Sequence, residues 1–421
     1  MIGSGILTLP IVFKQAGLWT GFFLVFIFGF LNTLTMTLLV KSAHYLEKYL
    51  NENNEPMNYG EVMEAALMES GFEWSKKWAK PAKFFVNGTI ILLLMGIGCI
   101  KYDFIVVHLR ELFGQFTNFH ASALAWALII FPPMVLINFT RTLQRIAILN
   151  TVGNVFMFGA YGIIFYVSFL GHLLQSPHKT SQLPWIGSPS GVFTACGSIL
   201  YCFEGQALVL PMENKMKHPS EMLGPFGVLS TGMALTEIFD SAVGFLGYSK
   251  FGDEIQGSVT LNLPPTSLLT FVKIVFTIIS FLDFLLQQYV TIQMLWPPLN
   301  KYLSNLFPSS KMLRVGEYTF RASLVALTML ISIFIPHLEH IMPLVGFSGG
   351  VFLAFIFPPI IDTFTFLSIG LTEYYEENNK RNLIQIFKRF ALNFLFVSIG
   401  LFGSIVGLKS SLEAIFELNG N

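Results

Sequence analysis

Apolar stretches long enough to cross a lipid bilayer recur along the whole chain, and no other property narrows its fold as far. A helix needs about 20 mainly apolar residues to span the hydrocarbon layer. Such stretches fall at 1–16, 19–43, 84–109, 122–138, 147–172, 191–213, 226–248, 268–296, 319–336, 340–367 and 386–408, eleven in all. The first is short: from Met1 to Ala16 it covers about half a span. Only 12% of the 421 residues are charged, about half the share usual in soluble domains. So few charges cannot cover a water-facing surface, and the surplus apolar residues, Phe above all, have to face lipid. The sequence therefore predicts an all-α integral membrane protein, a single polytopic domain over 1–421 with about eleven transmembrane helices.

Hydrophilic stretches around 45–80, 110–120, 173–189, 249–266, 297–317 and 368–385 read as loops, none long enough for a separate domain. Within the first of them, Glu61–Met68 has helical spacing and predicts an amphipathic surface helix. Cys99, Cys196 and Cys202 all lie in apolar segments, which favours free buried thiols over a disulfide framework. The first apolar stretch lacks a basic lead-in and a small-residue cleavage site, so it does not read as a cleavable signal peptide.

Charge sets the expected orientation. With the N-terminus in the cytosol, 17 of the 25 Lys and Arg fall on the cytosolic side, 5 on the other, and the remaining 3 within spans. Cytosolic loops of membrane proteins carry this excess of positive charge, so the C-terminus is expected outside the cell or in a lumen. The sequon Asn87-Gly88-Thr89 then lies in a span and Asn138-Phe139-Thr140 on the cytosolic side, where neither would be glycosylated. A net charge of zero gives no sign of a nucleic-acid partner. His and Cys show no metal-ligand spacing, and no nucleophile triad or phosphate loop sits in a sensible context. An enzyme, a metal centre and an organic cofactor are not expected.

Two segments repeat one pattern. Gly3-Ser4-Gly5-Ile6-Leu7-Thr8-Leu9-Pro10 opens the first span, and Glu204-Gly205-Gln206-Ala207-Leu208-Val209-Leu210-Pro211 lies in the sixth. Glycine-interrupted segments at matching places in two halves of a chain point to a carrier's binding site. Lipid tolerates unwound backbone only where it lines a cavity. There, free N–H groups at a helix start favour a carboxylate, and nearby carbonyls favour an ammonium. Two facing breaks suit a zwitterion, and small amino acids are the ligand this chemistry suggests. Gly3, Ser4, Gly5, Glu204 and Gly205 form the candidate site, with Tyr201 and Phe203 as candidate walls. Gly and Pro are also ordinary packing residues in membrane helices.

At these residues the chain resembles a known family. Phe203-Glu204-Gly205 through Leu210-Pro211-Met212-Glu213-Asn214-Lys215-Met216-Lys217 is similar to the sixth span of the proton-coupled amino-acid transporters, within the amino acid/auxin permease group. Gly257-Ser258-Val259-Thr260-Leu261-Asn262-Leu263-Pro264 resembles their loop before span eight. Ile335-Pro336-His337-Leu338, Leu344-Val345-Gly346 and Pro358-Pro359 resemble their spans nine and ten. The resemblance runs essentially end to end. It implies a leucine-transporter-type five-plus-five inverted repeat, with 1–172 as first repeat, 191–367 as second and 386–408 as an additional final helix. It also implies symport of small neutral amino acids with protons, by alternating access, at a plasma membrane or a lysosomal or vacuolar one. In the family the first helix begins well before the Gly-Ser-Gly break, so this chain is expected to lack the first half of that helix. The alternatives are a sensor that binds amino acids without moving them, and a transport-inactive truncated isoform.

Ionisable residues inside spans are functional candidates by default. Asp283, in span eight, is a candidate proton-titrating or cation-binding group; the other reading is a structural ion pair with Lys101 or Arg321. Glu237 and Asp240 are three apart on one helix face and read as lining an outer water-filled vestibule, with proton coupling as the second reading. Glu204, in the break itself, is expected to accept a proton or to brace the unwound backbone. His44 reads as interfacial, and His337 and His340 as loop residues on the far side.

Overall fold

The computed structural model describes residues 3–50, 56–117, 121–141, 143–166, 182–306, 309–335, 338–377 and 380–419. Among these, all regular structure is helical. Seven helices are long and apolar enough to cross a membrane: Leu18–Tyr49, Glu73–Phe116, Pro189–Glu213, Ser267–Asn305, Ser310–Phe334, Leu338–Leu367 and Ile386–Phe416. Gly5–Ala16, Ala123–Asn138 and Ile148–Ile164 are shorter apolar helices. Val228–Phe251, which carries the acids Glu237 and Asp240, is not among the seven.

The chain opens with a 3₁₀ turn, Ser4–Thr8, that leads into α1 (Leu9–Ala16). Gly17, at φ 88°, turns the chain directly into α2 (Leu18–Leu50); that φ is strained for any residue with a β-carbon. Helix α2 shows why such a helix sits at the edge of a membrane protein. Phe23, Ile27, Phe30 and Leu34 recur every three or four residues and are exposed, which gives lipid an apolar stripe. Val25, Met36, Leu39 and Val40 are buried on the other side.

Helices α3 (Tyr59–Glu69) and α4 (Glu73–Phe116) follow. Helix α3 starts at a capping box: the Asn58 side chain accepts from Glu61 N, and the Glu61 side chain accepts from Asn58 N. The helix matches the expected amphipathic segment, but its apolar face meets protein and not a lipid surface. Tyr59, Val62, Met63, Ala66 and Leu67 are buried, and Tyr59 Oη donates to Leu353 O at 2.9 Å.

Next come α5 (Ala123–Asn138), α6 (Leu143–Ile164) and α7 (Pro189–Cys202). A second 3₁₀ turn, Glu204–Leu208, separates α7 from the short α8 (Val209–Glu213). Then follow α9 (Val228–Phe251), α10 (Ser267–Leu306), α11 (Ser310–Phe334) and α12 (Leu338–Val345). Two π turns, Gly346–Gly350 and Phe352–Ile356, join α12 to α13 (Phe357–Glu377), and α14 (Lys380–Asn419) closes the chain.

Helix α4 has 44 residues, about 66 Å at 1.5 Å per residue, roughly twice the hydrocarbon thickness. The long helices therefore continue past the membrane and absorb much of what hydropathy reads as loop. Helix α2 runs to Leu50, α4 to Phe116, and α10 passes through Pro297 and Pro298 to Leu306. Lys and Glu end a hydropathy window without ending a helix, because both are good helix formers.

At the centre, α10 packs against α4 and α6, α9 against α1 and α2, and α7 against α1 and α12. Buried charge pairs tie these layers. Arg321, 2% exposed, donates through Nε to Glu317 at 3.0 Å and through Nη1 to Asn138 O at 2.9 Å. Lys273, wholly buried, donates to Glu111 at 2.5 Å and to Leu263 O at 3.2 Å. His108 bonds Thr260 at 2.6 Å, so the Gly257–Pro264 loop is held to α4 by a buried polar link. None of Cys99, Cys196 and Cys202 is joined in a disulfide, as their apolar settings lead one to expect.

Candidate functional site

The two sequence breaks have the same local form. Gly3 is extended, at φ −143° and ψ −175°, and its carbonyl accepts from Ile6 N at 3.3 Å. The five-residue 3₁₀ turn Ser4–Thr8 follows, and α1 begins at Leu9. In the second break Phe203 leaves the helix at φ −83° and ψ 39°; a five-residue 3₁₀ turn, Glu204–Leu208, follows, and α8 begins at Val209. Gly5 and Gly205 each hold the second position of their turn. The Leu-Pro closures are one residue out of step, so the glycines set the correspondence and the prolines do not.

Proline helps to explain why the α-helix waits. Pro10, in the first turn of α1, has no N–H to give Ile6 O, and Leu9 N–H reaches that carbonyl in 3₁₀ fashion instead. Neither 3₁₀ turn has a side-chain cap. The leading N–H groups of both turns are thus not taken up by a capping side chain and form the positive end of a helix start.

The first break meets the end of α7, just ahead of the second break. A β-carbon on Gly5 would lie 3.3 Å from Tyr201 Cε1 and 3.8 Å from its hydroxyl, so only glycine gives that ring its present seat. Cys202 Sγ lies 3.8 Å from Gly5 O. Thr8 Oγ1 donates to Gly5 O at 2.5 Å, and Tyr161 Oη, from α6, donates to Gly3 O at 2.8 Å. Tyr161, Tyr201 and Phe203 are all buried. For Ser4 and Glu204 the description covers the backbone only, and His337 lies outside the described residues.

Of the other candidates, Asp283 meets Lys101: Nζ lies 3.0 Å from Oδ2, with Lys101 2% and Asp283 19% exposed. Arg321, the alternative partner, is engaged by Glu317. Glu237 and Asp240 do not line an open vestibule. They are 9% and 1% exposed, on the packed side of α9, whose neighbours include α2 and the first 3₁₀ turn. Among the described residues no Lys or Arg pairs with either acid, and Asp240 Oδ1 has no hydrogen-bond partner. His44 is more than interfacial: it pairs with the buried Glu213 and so links α2 to α8.

Three polar residues escaped the sequence reading. Gln206, inside the second break, is 1% exposed and neither atom of its amide has a partner among the described residues. Asn32, in mid-α2, is wholly buried in the same condition. Tyr161 was hidden in an apolar run. The available signal was an amide inside an apolar stretch, a costly placement without a purpose.

A cavity of about 620 Å³ reaches the second break at Ala207 and Leu208. Its other walls come from α3 (Tyr59), α4 (Asn87, Ile90), α8 (Pro211, Met212) and α10 (Gln287, Tyr289), with Lys215 at its rim. Small-molecule sites are commonly about 300–1,000 Å³.

Long apolar helices, lipid-type exposure and buried broken-helix turns define an integral membrane protein of the carrier class. The profile of the transmembrane amino acid transporter protein family matches residues 1–408, and the chain belongs to that family. It is 30% identical over 422 residues to the probable amino acid transporter skat-1 of Caenorhabditis elegans, covering 99% of this chain and 88% of the relative. It is 29% identical over 378 residues to the proton-coupled amino acid transporter-like protein pathetic of Drosophila melanogaster, covering 89% and 76%. The expected absence of enzyme chemistry agrees with these relatives, which are transporters.

Proposed function

We propose that this chain moves small neutral amino acids across a membrane together with protons, by alternating access to a site between its two broken helices. The observation that carries the proposal is the pair of uncapped five-residue 3₁₀ turns, Ser4–Thr8 and Glu204–Leu208, the first of which packs through Gly5 on Tyr201, three residues ahead of the second. N–H groups at these turns receive the substrate carboxylate, and carbonyls near them receive its ammonium. Gln206 supplies a buried amide at the same place. The matched turns support a five-plus-five inverted repeat, with repeats at 1–172 and 191–367 and 386–408 as an added helix. Eleven spans, the first of them short, go with that arrangement.

Glu237 and Asp240 lead as proton acceptors, because both are buried without a described cation beside them. Asp283 is placed second, since Lys101 already balances its charge. Glu204 stays a candidate by its place in the break. The name of the Drosophila relative carries proton coupling, which supports this reading. Positive-side bias supports a cytosolic N-terminus, and the cavity at Ala207 then opens toward the cytosol, where Lys215 lies. The membrane is a plasma membrane or a lysosomal or vacuolar one.

The test is equilibrium binding of labelled alanine to the purified chain, with Gly5→Val as the probe. The added branches collide with Tyr201, and affinity is expected to fall at least tenfold while the chain stays folded. Wild-type affinity in G5V removes the first break from the site.

A further inference from the structure

A second cleft, of about 570 Å³, lies between the end of α2 and the α13–α14 pair, and no residue of either break lines it. Its lining combines cations with aromatic rings. Lys41 and Lys48 stand seven residues apart, two turns along one face of α2, and both are exposed. Arg389 approaches from α14 on the opposite wall. Its guanidinium is held in place: Nε and Nη2 donate to the two oxygens of the buried Asp362 at 2.7 and 2.5 Å, Asn393 braces the same carboxylate at 2.8 Å, and the plane lies 3.9 Å from the Phe366 ring centroid. That pairing leaves Nη1 without a partner among the described residues. Tyr45, also in the lining, lies between Tyr49 and Phe366 with its ring tilted to both, at centroid distances of 4.5 and 5.2 Å.

The local anions are occupied elsewhere. Asp362 is spent on Arg389, Glu213 on His44, and Glu47 on the N–H of Met57. Among the described side chains no carboxylate pairs with Lys41 or Lys48, which sets two cations beside a fixed guanidinium. Phosphate monoesters carry about −1.5 to −2 charges and three acceptor oxygens, the complement of such a set. The position selects the source of the phosphate. By the span limits this is where α2 leaves the hydrocarbon, Tyr49 is exposed, and Tyr and Lys are residues that settle at headgroup level.

We propose that this cleft binds the phosphorylated headgroup of an anionic lipid. Its assignment to the cytosolic leaflet rests on the orientation argued under Proposed function; the binding itself does not.

The test uses the full chain in nanodiscs of phosphatidylcholine containing a small fraction of phosphatidylinositol bisphosphate, with lipid occupancy read by native mass spectrometry. Nanodiscs offer both leaflets, so a wrong orientation does not hide the site. Each basic residue near a membrane surface contributes about 1 kcal/mol toward an anionic headgroup, so Lys41→Gln with Lys48→Gln is expected to weaken occupancy about 30-fold. Lys77→Gln with Lys80→Gln removes the same charge from exposed positions on the same side and is expected to leave occupancy unchanged. Equal loss in both double variants, or none in the first, overturns the proposal. So does binding of soluble inositol trisphosphate as tight as that of the lipid, which assigns the cleft to a free phosphate. A cooperative thermal unfolding transition at the wild-type midpoint in each variant shows that the chain is folded.

Discussion

Replacing Asp283 with Asn removes the carboxylate that faces the Lys101 ammonium in the core, and the cost of that change can be bounded from the geometry. The pair meets at 3.0 Å between α4 and α10, with Lys101 2% exposed. Removing one partner of a buried pair costs about 3–5 kcal/mol, because the other charge is left without compensation. The two ends are not equivalent. Asp283 is 19% exposed and keeps some access to water when alone; Lys101 does not. D283N is therefore expected near 5 kcal/mol and Lys101→Met near 3 kcal/mol. The double variant K101M/D283L replaces the pair with apolar groups and is expected to recover more than half of the larger loss, since such replacements are often neutral. Equilibrium unfolding of the purified variants in detergent measures all three. A double variant whose loss equals the sum of the single losses refutes the idea that pairing, and not packing volume, fixes these residues. So does a K101M that costs more than D283N.

Two further changes probe the breaks. Tyr161→Phe removes the donor to Gly3 O, a bond worth about 0.5–1.5 kcal/mol, and is expected to lower alanine affinity by up to about tenfold; unchanged affinity in isothermal titration means the first break holds its shape without it. Gln206→Leu removes a buried amide that has no described partner, so stability is expected to rise by about 1 kcal/mol while amino-acid affinity falls; a rise in both would make the amide a structural defect and not a ligand group.

How far the site was legible in the sequence differs from residue to residue. Gly5 and Gly205 were readable because a break needs glycine and a delayed helix needs the prolines behind it, both local requirements. Spacing also put Glu237 and Asp240 on one face, since three residues is nearly one turn. What that face meets was not readable. Periodicity fixes directions within a helix and says nothing about which helices pack together, so an expected vestibule is instead a buried contact of α9. Lys101 and Asp283 are 182 residues apart, and the choice between Lys101 and Arg321 as partner depended on the α4–α10 crossing. The span limits came from hydropathy, which falls at the first charged residues while α4 and α10 continue as helices. Tyr161 supports Gly3 from a helix whose sequence is an ordinary apolar run.

The central claim is proton-driven passage of an amino acid through the paired breaks. Uptake of labelled alanine into proteoliposomes, with and without an imposed proton gradient, tests it most directly. Saturable uptake that rises when the source side is acidified, is lost in G5V, and loses its gradient dependence in Asp240→Asn is the predicted result. Binding of alanine with no flux under any gradient would contradict the account and leave a sensor in place of a carrier.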